Sequence, residues 1–482
     1  MAENKQNNKV ARELKTRHLS MIALGGSIGT GLFVASGSAI ATAGPGGAIL
    51  AYAGIGIMVY FLMTSLGEMA TYMPISGSFS EYASRFVDPA LGFALGWNYW
   101  FNWAITLAVD VATTAILMHF WLPAVPGWIF SLGFLVLIFA INIISVKAFG
   151  ETEYWLSMIK VVTVIIFLAV GVLTIVGILG GGQAIGLKNY TIGDAPFHNG
   201  WPAALSVFVV AGFSFQGTEL IGITAGESET PEKSIPKAIK QVFWRILLFY
   251  ICAIAVIAAI IPFTSPNLLG SGAGDVAISP FTLVFKRTGL AGAASIMNAV
   301  VLTSVLSSAN SGMYASTRML WAMGGTGFAP RIFNKTNNRG VPLPALIATT
   351  AVGALTFLTS IMGSGVYTLL VAASGLTGFI AWLGIAISHY RFRRAFVKQG
   401  HKVSELVYHA KWFPLGPLLA LAMGIIVILG QDIQSVTHFA WAKLLISYMS
   451  VPLFIVLYVY YKVKHKTKMI PLDEVDLTSH RS

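Results

Sequence analysis

Twelve long apolar segments restrict the fold of this chain more than any other feature. A helix needs about 20 apolar residues to cross the roughly 30 Å hydrocarbon core of a bilayer. Turn-rich or charged loops separate segments of that length at residues 19–43, 46–71, 91–121, 126–146, 153–179, 201–225, 242–263, 291–320, 343–362, 366–388, 413–431 and 442–461. Since lipid offers no hydrogen bonds to the backbone, the chain is predicted to be an all-α polytopic membrane protein with 12 transmembrane helices.

The composition agrees with a membrane protein. Of the 482 residues, 56% are hydrophobic and only 10% are charged, which is unlike any soluble globular protein of this size. The single cysteine, Cys252, excludes an intramolecular disulfide and a zinc–cysteine cluster, and no metal site is expected. No cleavable signal peptide is expected, because the first 18 residues are polar and the first apolar segment is too long.

The basic residues indicate an orientation in the membrane. With the N-terminus placed inside, most of the 31 Lys and Arg residues fall in loops on the inner face, as the positive-inside rule requires. Residues 1–18 and 463–482 are therefore predicted to be cytoplasmic tails that flank a single membrane domain at 19–462. The net charge of +12 is explained by orientation in the lipid bilayer, so no nucleic-acid partner is expected.

Two of the apolar segments are interrupted near their centres. The first contains Gly25 to Gly31 (GGSIGTG) and the sixth contains Gly212 to Leu220 (GFSFQGTEL). Glycine costs a helix about 1 kcal/mol per residue relative to alanine, and unwound backbone is tolerated in a membrane only where it is buried in protein or lines a cavity. Either patch alone suits close helix packing, but two breaks at corresponding places predict an inverted repeat with a binding site at its midplane.

The breaks divide the membrane domain into two predicted halves. Repeat one covers about residues 19–179 and repeat two about 201–388, with two extra C-terminal helices at about 413–461. This is the five-plus-five, LeuT-type arrangement with broken helices 1 and 6. Half-helix N-termini present N–H groups that suit a carboxylate, and half-helix C-termini present carbonyls that suit an ammonium group. The pair of breaks therefore matches the two charged ends of an α-amino acid.

Ionisable and aromatic residues within the spans are further candidates, because charges in a membrane are costly. Glu219, in the second break, is predicted to act in gating or substrate contact, or else as a structural acceptor. Lys160 is a candidate proton carrier, or a lysine that snorkels to the inner face. Asp110 is a candidate for a substrate ammonium group or for proton coupling, or a structural acceptor. Tyr99 and Trp103 share a helix face and are candidate walls of a cation pocket, or part of an aromatic belt.

Several motifs resemble the amino acid transporter branch of the amino acid–polyamine–organocation superfamily. They are Gly25 to Phe33 (GGSIGTGLF), Phe213 to Leu220 (FSFQGTEL), Ala225 to Pro236 (AGESETPEKSIP) and Ser311 to Leu320 (SGMYASTRML). Within that branch the chain is similar to bacterial lysine-specific permeases through Gly96 to Asp110, Gly150 to Val161 and Gly378 to Arg394. The likeness covers nearly the whole chain and implies a location in the bacterial inner membrane.

The resemblance implies import of L-lysine coupled to protons by alternating access, with the proton as coupling ion and no cofactor. By position, the N–H groups of Thr30 and Gly31 would hold the substrate carboxylate. The carbonyls of Ser27, Phe213 and Gln216 would hold its α-ammonium group. These assignments rest on the matching motifs and give the breaks a specific ligand.

Further roles follow from the same resemblance. Phe213 would be an aromatic gate over the substrate, and Glu219 a gating or substrate-contacting acid. Lys160 would stand where sodium-coupled relatives of the fold hold a cation, touching the first break near Ala23 and Gly26. Loss of its proton would then loosen the two helices.

The pocket for the lysine side chain is less constrained. Tyr99 and Trp103 match positions implicated in lysine uptake in this family, and Asp110 is our own candidate for the ε-ammonium group. The alternatives are an exchanger, a permease for another amino acid, or a membrane sensor that binds lysine. An enzyme is not expected, because the spans contain no metal-ligand cluster, nucleotide loop or nucleophile–base pair.

Overall fold

Helices and connecting loops make up the structure. The computed structural model describes residues 14–25, 28–144, 146–181, 183–269, 279–287, 292–358, 364–432, 441, 444 and 448–478. Among these residues there is no β-strand, and one isolated β-bridge pairs Leu14 with Ser228. The described part of the chain is thus all-helical, as the apolar segments predict.

The helices are numbered in chain order. The first six are α1 (Thr16–Gly25), α2 (Ser36–Tyr72), α3 (Ser78–Phe86), α4 (Pro89–Met118), α5 (Gly127–Ile144) and α6 (Val146–Ile175). The next six are α7 (Gly200–Phe215), α8 (Leu220–Thr224), α9 (Pro231–Arg245), α10 (Ala253–Ile260), α11 (Pro266–Leu269) and α12 (Pro280–Arg287). The last five are α13 (Ala293–Thr326), α14 (Leu343–Gly353), α15 (Ser364–Lys398), α16 (Leu415–Gly430) and α17 (Ser450–His465). Two π-helical turns lie at Gly31–Ala35 and Ile246–Cys252.

Several helical stretches fit a bilayer. Within the described residues, 6 are long and apolar enough to cross a membrane: Gly31–Tyr72, Pro89–Met118, Gly127–Ile144, Phe149–Ile175, Gly200–Glu227 and Pro231–Ile260. Only 22% of the apolar window in α5 and 28% of that in α6 is buried, which suits helices that face lipid. In α4 the buried share is 83%, and α4 packs against α3, α13 and α15, so it lies at the centre of the bundle.

Gly44 separates the first two predicted spans. It lies inside α2 but has φ 75°, which is not helical, and Pro45 follows it. A Cβ atom on Gly44 would approach the carbonyl oxygen of Pro196 to 2.7 Å. Glycine is therefore required both by the backbone conformation and by the neighbouring loop.

Helix α9 begins before the seventh apolar segment. Pro231 stands at its first turn, where the missing N–H costs nothing. Its first turns bury Ile235 and Ile239 and expose Lys233 and Lys237. Because hydropathy alone does not detect such an amphipathic helix, the apolar pattern predicts a later start for this span, at residue 242.

Two buried ion pairs connect helices near the predicted inner face. Arg318 on α13 donates to Glu227 with an Nε–Oε1 distance of 2.5 Å. Arg393 on α15 donates to Glu68 on α2 through Nε at 2.6 Å, and the backbone N–H of Ala410 donates to the same carboxylate at 2.6 Å. Removing one member would leave an uncompensated buried charge, so these pairs act as ties between helices.

The segment after α17, here the C-terminal tail (residues 466–478), folds back onto the helix ends. The N–H of Ile470 donates to the carbonyl of Val87 at 2.9 Å. The side-chain amide of Gln399 donates to the carbonyl of Val475 at 2.8 Å, and the hydroxyl of Tyr72 donates to the carbonyl of Leu477 at 2.7 Å. The tail therefore connects the ends of α2, α3 and α15.

Asp88 joins the start of α4 to α17. Its Oδ1 accepts the N–H of Ala90 at 2.9 Å, which makes Asp88 the N-cap of α4. Its Oδ2 accepts from Nζ of Lys462 at 2.5 Å. Burial acts to raise the pKa of the Asp88 carboxyl, but the hydrogen bonds from Lys462 and Ala90 outweigh it and leave the pKa below its ordinary value.

We expect Asp88→Ala to lower the free energy of unfolding by about 1 kcal/mol, as loss of an N-cap usually does. Because the pKa of Asp88 is lowered by folding, its contribution is present above the ordinary aspartate pKa and is lost as the pH falls through the folded-state value. Thermal unfolding of purified protein in detergent, at neutral pH and in acid, measures both effects. Glu474→Ala, an exposed acid in the C-terminal tail, is the control, and an equal loss in both variants would contradict the assignment.

Candidate functional site

The first interrupted helix ends and resumes around the glycine-rich motif. Helix α1 ends at Gly25, residues 28 and 29 are not helical, and helical structure returns at Thr30. The predicted substrate contact of Ser27, and Gly26 beside it, lie outside the described residues. Non-helical residues therefore separate the C-terminal end of α1 from the N-terminal end of the following helix.

Gly31 lies against the backbone of α7. A Cβ atom on Gly31 would come within 2.4 Å of the Cα of Ser214, a distance that real Cβ contacts do not show. The hydroxyl groups of Ser214 and Tyr52 are 2.8 Å apart and connect the same region to α2. The two interrupted segments thus approach each other backbone to backbone, which only glycine permits here.

The second interruption separates α7 from α8. Helix α7 ends at Phe215, Gln216 is extended with ψ 144°, and Gly217 has φ 95°. Helix α8 begins at Leu220. Gly217 can take this left-handed conformation because it lacks a Cβ atom, so the turn depends on it.

The residues predicted to hold the substrate ammonium group already have contacts. The carbonyl of Phe213 accepts the N–H of Gln216 at 3.2 Å, and the Phe213 side chain is half-buried. The Gln216 side chain donates to the carbonyls of Ser374 and Gly375 at 3.2 and 3.1 Å. The two side-chain bonds of Gln216 hold the second break against α15.

Glu219 joins the second break to two aromatic side chains. Its carboxylate is buried and accepts from the hydroxyl of Tyr99 at 3.3 Å, the indole N–H of Trp382 at 3.1 Å and the N–H of Gly217. The rings of Tyr99 and Trp103 meet edge-on with centroids 6.2 Å apart. Glu219, Tyr99 and Trp103 therefore form one group, and the donors to the carboxylate are neutral.

Lys160 reaches the first break from α6. Its Nζ donates to the carbonyl of Gly25 at 2.9 Å, and its side chain is 0% exposed. Gly25 is the last residue of α1, so its carbonyl has no partner within the helix. The same carbonyl also accepts the N–H of Ile28 at 3.0 Å. Lys160 is thus a second donor at the end of α1, and it does not reach a surface as a snorkelling lysine would.

Asp110 lies on the other side of the same break. Its Oδ1 accepts from the hydroxyl of Thr30 at 2.9 Å, and the residue is buried. Asp110 and Lys160 also interact electrostatically. Asp110 therefore binds Thr30 directly and lies close enough to Lys160 for their charges to interact.

One buried acid escaped the sequence interpretation. Glu153 on α6 is 0% exposed, and its Oε1 accepts from the hydroxyls of Ser307 at 2.5 Å and Ser157 at 3.1 Å. Glu153 precedes Lys160 by seven residues, which is two helical turns and therefore the same helix face. That spacing was visible in the sequence and could have identified it.

Comparison with known proteins identifies the family. Residues 18–472 match the family model described as amino acid permease. The chain belongs to the amino acid permease family. This permease is 61% identical to the lysine-specific permease LysP of Lactococcus lactis subsp. cremoris, over 99% of this chain and 96% of that protein. It is 56% identical to LysP of Escherichia coli over 96% of both chains, and 57% identical to the histidine permease HisP of L. lactis over 98% of this chain and 99% of HisP.

The family membership confirms the resemblance seen in the motifs. The permease is a multi-pass membrane protein of a transporter family, and the family is not one of enzymes. An amino acid is the substrate class that this membership implies. Both lysine and histidine permeases stand among the similar proteins.

We expect Gly31→Ala to abolish amino acid binding and to lower the melting temperature, because the added methyl group collides with the backbone of Ser214. The matched control is Gly133→Ala, since Gly133 has open space around it on the exposed side of α5. Size-exclusion chromatography, thermal unfolding and labelled lysine binding compare the two variants. Wild-type binding in Gly31→Ala would contradict the close approach of the two interrupted segments.

Proposed function

We propose that this permease imports L-lysine together with protons by alternating access across the bacterial inner membrane. The observation that carries the proposal is the contact of the Lys160 Nζ with the Gly25 carbonyl at 2.9 Å. When the buried Lys160 ammonium group loses its proton, its charged hydrogen bond to the end of the interrupted helix would weaken. Proton loss and opening of the first break would then be one event.

The substrate would bind between the two interruptions. The N–H groups of Thr30 and Gly31 would receive its carboxylate, because a helix N-terminus favours an anion. The carbonyls of Ser27, Phe213 and Gln216 would receive its α-ammonium group. This geometry belongs to a 12-helix, five-plus-five inverted repeat in which helices 1 and 6 are broken and both termini are cytoplasmic.

The lysine side chain would extend toward the group formed by Glu219, Tyr99 and Trp103. Aromatic faces attract an ammonium group, and the Glu219 carboxylate receives its hydrogen bonds from neutral donors. The ammonium group of the substrate would therefore supply a positive charge to balance the Glu219 carboxylate, which its neutral donors do not. Phe213, beside the second break, would close over the bound substrate as a gate.

Asp110 has two proposed roles. As the partner of the substrate ε-ammonium group it would select for lysine. As a neighbour of Lys160, joined to the first break through Thr30, it would act in coupling. The hydrogen bond to Thr30 and the interaction with Lys160 favour coupling. No metal or organic cofactor enters this scheme, and the proton is the coupling ion.

Histidine import is the second candidate, since HisP of L. lactis is 57% identical to this chain. An exchanger or a lysine-binding sensor would use the same pocket without net proton-driven accumulation.

We expect purified permease in liposomes, with the membrane potential held at zero, to accumulate labelled lysine about tenfold for an inward gradient of about one pH unit and one proton per lysine. Unlabelled histidine, arginine and ornithine serve as competitors. Uptake that requires preloaded amino acid would support an exchanger, and inhibition by histidine at lower concentration than lysine would support a histidine permease.

We expect Lys160→Ala to bind lysine but to reach an accumulation ratio of about 1 under the same gradient, because the group that links proton release to the first break is gone. Uptake and equilibrium binding are measured on the same preparation. Lys147→Ala is the control, since Lys147 lies on the same helix but is exposed. Normal gradient-driven accumulation by Lys160→Ala would remove Lys160 from coupling.

A further inference from the structure

Glu153 is a fully buried carboxylate to which the proposed transport cycle assigns no part. Its Oε1 accepts hydrogen bonds from Ser307 on α13 and from Ser157 on its own helix. Its Oε2 is also buried and has no hydrogen-bond partner among the described residues. An ionised carboxylate with half of its acceptor capacity unused is costly in a protein interior, so a nearby positive charge is needed to stabilise it.

Lys160 supplies that charge. It interacts electrostatically with both Glu153 and Asp110. The three groups form a buried cluster, here the acid–lysine–acid cluster (Asp110, Glu153 and Lys160), with two negative charges and one positive charge when all are ionised. The cluster therefore favours the protonated form of the amine, because a neutral Lys160 would leave two buried carboxylates without a cation.

The cluster holds both sides of the first break. Lys160 binds the Gly25 carbonyl at the end of α1, and Asp110 binds the Thr30 hydroxyl where the helix resumes. Ser157, which donates to Glu153, lies directly against Gly25, since a Cβ atom there would be 2.4 Å from the Ser157 Cβ. A change of charge on Lys160 therefore acts on both edges of the interrupted helix.

Other charged groups around α6 are engaged elsewhere or lie toward its ends. The elements packed against α6 are α1, α5, α10, α12, α13 and the π-turn Ile246–Cys252. Arg17 and His18 on α1 contact Glu151, and Arg318 on α13 pairs with Glu227. The remaining titratable side chains described on these elements are Tyr250, Cys252, Lys286, Arg287 and Tyr314. Arg287 donates to the carbonyl of Ile260.

We propose that Glu153 is a positioning residue for proton coupling, whose negative charge holds the Lys160 ammonium group at the first break and draws the proton back after its release. The inference rests on the proposed proton coupling, and it names Glu153 as the group that sets the pH range of gradient-driven uptake. On release, an N–H bond of Lys160 breaks, the amine keeps the electron pair, and the proton passes to the inner solution. Glu153 and Asp110 then lack a cation, and this imbalance favours recapture of a proton from the outer side.

The test compares Glu153→Gln with Glu151→Gln on the same helix, one a fully buried acid and one a partly exposed acid that pairs with Arg17. Glutamine keeps an oxygen that accepts from Ser307 but removes the charge, so protonation of Lys160 needs a more acidic solution. We expect Glu153→Gln to bind lysine and to exchange lysine for lysine, while the pH of half-maximal gradient-driven uptake falls by about one unit and accumulation falls about tenfold. Glu151→Gln should match the wild type, and Glu153→Asp should recover part of the uptake and the original pH range.

The outcomes separate the two proposals. If wild-type protein fails to accumulate lysine under a proton gradient, proton coupling itself is wrong and Glu153 has no such role. If the wild type accumulates lysine and Glu153→Gln shows the same pH profile, the role of Glu153 is overturned while coupling stands.

If Glu153→Gln does not fold, the Ser307→Ala variant decides between the outcomes, because it removes a hydrogen bond to the Glu153 carboxylate without removing its charge. An altered pH profile in Ser307→Ala supports the proposal, and an unchanged profile overturns it.

Discussion

Peptide groups inside a bilayer have no water to bind, and the interrupted helices of this permease are arranged around that constraint. Each interruption leaves carbonyls without a helical partner. At the first, Lys160 and the backbone N–H of Ile28 both donate to the carbonyl of Gly25. At the second, the hydroxyl of Thr218 donates to the carbonyl of Phe215 at 2.5 Å, and the N–H of Gln216 donates to Phe213. The chain's own groups thus hold the backbone that a substrate would meet.

The buried glutamates in the described part of the chain divide into two kinds by the groups that donate hydrogen bonds to them. Glu68 and Glu227 each bind a guanidinium group, so their charges are compensated within one rigid contact. Glu219 and Glu153 take their hydrogen bonds from hydroxyl, indole and backbone groups, which carry no charge. A carboxylate of the second kind responds strongly to a cation or proton that arrives or leaves. This difference explains why the proposed chemistry lies at Glu219 and Glu153, whereas Glu68 and Glu227 hold helices together.

Local features of the sequence were enough to locate much of this arrangement. Glycines and a carboxylate within apolar runs mark the interruptions, and a single lysine in the apolar run of α6 identifies Lys160. Contacts between distant residues could not be read in this way. Thr30 and Asp110 are 80 residues apart, and no periodicity joins them. Glu153 was missed because it stands at the edge of its apolar segment, where a charge is typical of a boundary. The early start of α9 was missed because its apolar side chains cover only one face.

The C-terminal tail binds the ends of two helices, α3 and α15, that also pack against each other. It meets Val87 just after α3 and Gln399 just after α15, and it follows directly on α17. The tail keeps all of these hydrogen bonds only while the ends of α3 and α15 keep their present spacing. The docked tail therefore fits one arrangement of these helix ends. A displacement of α3 relative to α15 would detach the tail from one of these helices. It would also expose the tail residues Val475 and Leu477, whose side chains are buried in the docked form.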